Sequence, residues 1–324
     1  MKKTLKIKLI LMLLISMLLL ITYKTYQKLK ADQLPSTTTS VSYVQRYVDK
    51  NVSDSTEAIN LIKHDSAIQE KKCNTTIRMV DRQIQEETQI YGVNLCEMSP
   101  KTALEIYNAL SRIYKEYSGI KGYVTNLTLN NDSNTSHITS FKPNYIFVTS
   151  SQKDTFPMVI KSQILLNSRY YLNEDYAESV IKQEIKSKNF LSNTTLANLL
   201  AHEYAHVITY VLTLKYYESV NPIFLTKENY ENYNKALNNY KNDNFSKMLF
   251  NEAYKNFKED KNKEEFRKSI SLYANKKDGD GNVLYNETIA EAFHDYFING
   301  KEAAKESLAI VKVLNKYSIK YSLK

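Results

Sequence analysis

The stretch from Leu199 to Leu214, LLAHEYAHVITYVLTL, is apolar enough to demand burial, yet it carries two histidines and a glutamate at its centre. At about 100° per residue, Leu196, Leu200, Val207, Val211 and Leu214 form one stripe of a helix, and Glu203 falls inside that stripe with His202 and His206 on its flank. A carboxylate among leucines and valines is costly to bury unless something pairs with it. Any fold for this chain must therefore bring a partner to Glu203 from elsewhere. The pattern predicts a long helix over 192–217, opened by Ser192 or Asn193.

The i, i+4 spacing sets His202 and His206 on one helix face, where both imidazoles reach a single zinc ion. Glu203, beside the first of them, is placed to take a proton from a water that zinc has acidified and to pass it to a leaving amine. The expectation is one Zn2+ per chain, with an open coordination position. A third histidine six residues on, preceded by glycine, is ruled out: Thr209 and Leu212 occupy those places. The remaining ligand is sought in YNETIAEAFHDYF (285–297). There Glu287, Glu291 and His294 share one helix face, while Ile289, Phe293, Tyr296 and Phe297 form the packing face. Glu287 is the expected third ligand, with His294 its rival. Glu291, one turn on from Glu287, can accept a hydrogen bond from a ligand histidine's free N–H.

Other regions set the frame. A signal peptide or N-terminal membrane anchor is expected over 1–30, whose apolar core Leu9–Ile21 follows a cluster of lysines. Tyr23, Tyr26 and flanking lysines suit membrane contact through residues 5–26. Seven lysines of this segment account for most of the net charge of +9, leaving +2 for the remainder and no footprint for nucleic acid. A polar tether and N-terminal segment fill 31–98. The two cysteines, Cys73 and Cys96, would either pair outside the cytoplasm or stay as buried thiols. From Pro100, capped by Ser99, a helix is predicted, ending at Gly119. Strand-like runs follow at 122–130, 136–150 and 158–171, then helices at 173–188, 192–217 and through 227–270. KKDGDGN is a hairpin turn. It starts like an EF-hand loop but has Val283 and Ile289 where the loop's glycine and glutamate belong. The order of elements gives an α+β fold with a small mixed sheet and a helical C-terminal half.

His202-Glu203-x-x-His206, followed much later by Glu287-x-x-Ala290-Glu291-Ala292-Phe293 and Tyr296-Phe297, resembles the anthrax lethal-factor-like gluzincins, which include the Pro-Pro endopeptidases. The resemblance covers about residues 99–324 and implies a zincin-like metallopeptidase domain there. It further implies zinc, Glu203 as general base and Glu287 as third ligand. A tyrosine shortly before that ligand, donating to the developing oxyanion, is implied as well. At the family's spacing of some seven residues this chain has Asp280. Tyr273, in a Ser-x-Tyr-Ala context, fits if the DGDGN hairpin is an insertion; Tyr285 is the alternative.

The expected function is that of an extracellular, secreted or membrane-anchored zinc endopeptidase with its C-terminal domain outside the cell. Its partner would be a peptide or protein docked along an edge strand. The run 162–171 is expected to be that edge, pairing with substrate through Leu165, Leu166 and Asn167. Two rivals stand beside this reading. One is an exported binding or toxin-associated module that uses zinc structurally, and the other is a membrane-tethered interaction protein without metal.

Overall fold

The computed structural model describes residues 73–130, 137–146, 158–218, 224–225 and 227–324. All belong to the unit Tyr47–Lys324. The expected anchor at 1–30 and the tether that follows it lie outside the described residues, and none of the described helices is long and apolar enough to cross a membrane.

The described part of 31–98 is not a separate segment. Helix α1 (Thr75–Thr88), capped by Asn74, buries Ile77, Val80 and Ile84, and strand β1 (Gly92–Asn94) joins the sheet. Cys73 and Cys96 form a disulfide that closes this unit. Its polar composition hid the three apolar positions by which α1 packs on α2 (Pro100–Glu116). Ser99 accepts from Thr102 N–H and Pro100 opens α2, as expected.

The chain is α+β, with a small mixed sheet. Strands β1, β2 (Asn126–Asn130) and β4 (Met158–Asn167) are parallel neighbours, and β3 (Thr139–Ile146) pairs antiparallel with β4. A two-residue β5 (Phe224–Leu225) pairs with the start of β4. β4 is therefore central. Its last three residues, Leu165, Leu166 and Asn167, face Thr128, Leu129 and Asn130 on one side. On the other they meet Ser140, Thr139 and Ile138. Their backbone groups are consumed by the sheet, so they cannot take a peptide; β3 ends the sheet among the described strands. The run is apolar because it is a buried middle strand, not an edge. Beyond Asn167 the chain turns into a short helix, α3 (Ser168–Tyr171), rather than continuing as strand.

Helix α4 (Glu174–Lys186) leads to α5 (Leu199–Tyr216). α5 begins later than Ser192 or Asn193, after a turn that Thr195 and Asn198 close reciprocally. Thr195 N–H donates to Asn198 Oδ1 (2.8 Å) and Asn198 N–H to Thr195 Oγ1 (3.2 Å). Every residue from Leu199 to Leu214 except His206 is buried, so the single apolar stripe understates how central this helix is. Two of its tyrosines bury their rings and pair their hydroxyls, Tyr204 with Tyr114 and Tyr210 with Tyr233, each at 3.2 Å. Helices α6 (Lys227–Lys241), α7 (Asn244–Asn256) and α8 (Lys263–Lys268) follow. α9 (Tyr285–Asn299) packs along α5 and against α10 (Lys305–Lys320). Gly300, at φ +56°, stops α9 in a conformation that a side chain would oppose. Gly119 lets the chain end approach: a Cβ there would lie 2.1 Å from Ser322 O.

Candidate metal centre

Two helices that are far apart in sequence build the site. α5 presents His202 and His206 on successive turns, and the first turn of α9 presents Glu287. His202 Nε2 lies 3.1 Å from Glu287 Oε2 and 3.2 Å from His206 Nε2, and His206 Nε2 lies 3.6 Å from Glu287 Oε2. Tetrahedral zinc with bonds of about 2.0–2.2 Å holds its ligand atoms roughly 3.3–3.5 Å apart. The triangle is of that size. Three lone-pair atoms this close repel unless a cation or a shared proton lies among them. The two-nitrogen, one-oxygen donor set is the kind zinc takes.

Glu291 determines which His202 nitrogen faces the triangle. Its Oε1 accepts from His202 Nδ1 at 2.8 Å, which leaves the Nε2 lone pair pointing inward. Ser271 Oγ donates to the other oxygen of Glu291 at 2.7 Å and accepts from Ala274 N–H at 2.9 Å, tying α9 to the turn that carries Tyr273. Burial alone would lower the pKa of His202, but its hydrogen bonds to Glu287 and Glu291 overcome this and hold it well above its ordinary value. Burial works against Glu287 and Glu291 too, and the imidazoles nonetheless keep both carboxyls below the usual carboxylate range. The site is thus a matched set of anions and imidazoles, with a proton held where a metal would bind.

His294 does not join the triangle. Its Nε2 lies 3.1 Å from Asn198 Oδ1, at the start of α5, and burial pushes its pKa down to about 4. It is a neutral donor that braces the start of α5, not a rival to Glu287. His202, Glu291 and His294 also cluster, with His202 Nδ1 bonded to Glu291 and His294 Nε2 to Asn198.

Glu203 is 8 % exposed and has a partner that no sequence pattern carries. The backbone N–H of Phe141, on β3, donates to its Oε2 at 2.6 Å. Glu203, His202 and Tyr273 line both lobes of a cleft, of about 360 and 380 Å³. One lobe runs over Val180, Phe190 and Leu199; the other runs over His206, Tyr240 and Asp243. Tyr273, in a 3₁₀ turn (Tyr273–Asn275), stands with its ring centroid 5.9 Å from that of His202. Burial first, then the carboxylates of Glu287, Glu203 and Glu291, raise its pKa, so its phenol keeps its proton. Tyr285 packs against Phe250 and beside the Arg267 guanidinium instead, away from the triangle. Asp278 closes the DGDGN hairpin by accepting from the N–H groups of Asp280 and Asn282, and Lys277 bridges Val283. That hairpin separates Tyr273 from Glu287 in sequence without moving it from the site.

Reading the sequence alone misses three contributors: the Phe141 N–H, Ser271 and Lys276. The first is backbone and leaves no signature, whereas Ser271 is legible as the serine of the Ser-x-Tyr-Ala run. Comparison with protein-family models, with curated proteins and with solved structures finds no match to this chain.

Proposed function

We propose that this chain is a zinc-dependent endopeptidase with a zincin-like fold, acting on extracellular or surface proteins. The reading rests on one observation. His202, His206 and Glu287, separated by up to 85 positions in sequence, converge at the spacing of a zinc site, with Glu203 and Tyr273 in the same cleft. Zinc bound there supplies Lewis acidity to the scissile carbonyl and to the attacking water. Glu203 accepts the water's proton on the oxygen not held by Phe141 N–H and returns it to the leaving amine. Tyr273 O–H donates to the carbonyl oxygen as it becomes negative. Glu291 keeps the His202 ring turned toward the metal. An extended substrate pairs along β3, whose outer side faces the cleft at Thr139 and Phe141.

The full chain, loaded with zinc, is tested by metal analysis and by cleavage of a peptide library, beside Glu203→Ala. One zinc per chain, cleavage by the wild type, and a variant that keeps zinc while losing about 10²–10⁴ in rate are the expected results. Zinc without cleavage favours a structural metal; no zinc ends the proposal. Against a structural metal, the described residues offer three ligands at the site, one fewer than a closed site holds.

A further inference from the structure

Tyr273 sits where negative charge is already dense, and this creates a difficulty that one neighbour resolves. Three carboxylates, Glu203, Glu287 and Glu291, bear on its phenol. An oxyanion growing beside them is disfavoured, and a free phenol there would turn its O–H toward a carboxylate instead of toward substrate. Lys276 changes both terms. Its Nζ lies 2.7 Å from Tyr273 Oη and 4.3 Å from the centroid of the same ring. An ammonium has donors only, so Tyr273 Oη must accept, and its own hydrogen is left to point away from Lys276. A phenol that accepts from a cation is also a stronger donor through its own O–H.

The backbone makes this contact a built one. Lys276 N–H donates to Tyr273 C=O at 2.9 Å, closing the 3₁₀ turn and stacking residues three apart over one another. Ala274 N–H bonds Ser271 Oγ (2.9 Å), and Thr288 Oγ1 donates to Ala274 C=O (2.7 Å), so the turn is pinned to α9. Lys276 lines the cleft lobe that also holds His202 and Glu203.

We propose that Lys276 is a positioning residue for Tyr273, orienting its O–H toward the developing oxyanion and supplying the positive charge that the surrounding carboxylates withhold. The inference rests on the peptidase reading above.

The test uses the full chain with one quenched-fluorescent peptide selected by wild-type cleavage, and compares Lys276→Met, Lys276→Arg, Tyr273→Phe and the Tyr273→Phe/Lys276→Met double variant. Thermal melting and zinc content are measured for each. Lys276→Met is expected to lower kcat about tenfold with KM within about twofold, and Lys276→Arg to recover most of the loss. In the Tyr273→Phe background the same substitution adds no further loss. A readout independent of turnover is the 13C resonance of Cζ-labelled Tyr273, assigned by its disappearance in Tyr273→Phe. It moves in Lys276→Met and stays near its wild-type position in Lys276→Arg. An unmoved resonance, an unchanged kcat, or an equal loss in the Tyr273→Phe background overturns the inference while leaving the peptidase reading intact. A zinc-loaded wild type that cleaves no peptide overturns the peptidase reading, and this inference with it.

Discussion

Removing zinc at two pH values tests the central geometry directly. Without metal, the cluster is stabilised by protonation. His202 is raised above its ordinary value of about 6.5, so its contribution is complete below that pH and is lost as pH rises through the folded value. Glu287 and Glu291 are depressed, so theirs is complete above about pH 4.3 and is lost as pH falls. The metal-free cluster therefore stabilises most between about pH 4.3 and 6.5 and weakens toward pH 8.

Zinc bound at the triangle would have to displace a proton from His202, so its own contribution would run the other way. One displaced proton changes the apparent affinity by about tenfold per pH unit, roughly 1.4 kcal/mol. At a hundred times Kd, zinc adds about 2.7 kcal/mol, and in a chain of this size each kcal/mol moves Tm by about 2–4 °C. Chelation should thus lower Tm by about 5–10 °C at pH 8 and by only a small part of that at pH 6. Calorimetry of the full chain, with and without EDTA, measures this. A chelation shift at pH 6 equal to or larger than that at pH 8 refutes the competition between proton and metal. A shift that survives in Glu287→Gln places the metal elsewhere.

Other perturbations follow from single contacts. Glu291→Gln keeps an acceptor for His202 Nδ1 but removes the charge, and zinc affinity by chelator competition should fall about tenfold. Tyr273→Phe should lower kcat by about 10²–10³ with zinc content unchanged, whereas Tyr285→Phe should leave kcat alone. Replacing Cys73 and Cys96 by serine should cost about 3 kcal/mol in denaturant unfolding of the full chain. Gly119→Ala drives a methyl group into the backbone of Ser322 and should cost about 1–3 kcal/mol in the same assay.

Much of the candidate metal centre is legible because helical periodicity is strict. Once His202 and His206 are placed on one face, a partner must come from another helix, and Glu287 and Glu291 lie one turn apart there. Tyr273 is legible only through its local Ser-x-Tyr-Ala context, since the 277–283 hairpin breaks the spacing that would otherwise identify it. The sheet is harder. An apolar strand looks the same at an edge and in the middle, and only the pairing of β4 with both β2 and β3 shows that Leu165, Leu166 and Asn167 are enclosed. Within 54–98 the composition suggests some helix but does not place α1, because its buried positions are few and its exposed face is polar. The start of α5 follows a turn closed reciprocally by Thr195 and Asn198, one of several Ser/Thr/Asn choices that sequence leaves equivalent.

The corrected edge and the base belong to one device. Phe141 sends its N–H to Glu203 instead of to β4, so in an antiparallel pair its C=O points outward as well. Pro143, two residues on, faces the same way and has no N–H to offer. On the peptidase reading, the Phe141 N–H is already committed and Pro143 has none, so the outward backbone groups left for a peptide beside the cleft are those of Thr139 and the Phe141 C=O. A substrate paired there leaves the Phe141–Glu203 hydrogen bond intact, whereas a register that needs the Phe141 N–H must take it from the base. On that reading the productive pairing would be the one that does not disturb the Phe141–Glu203 hydrogen bond.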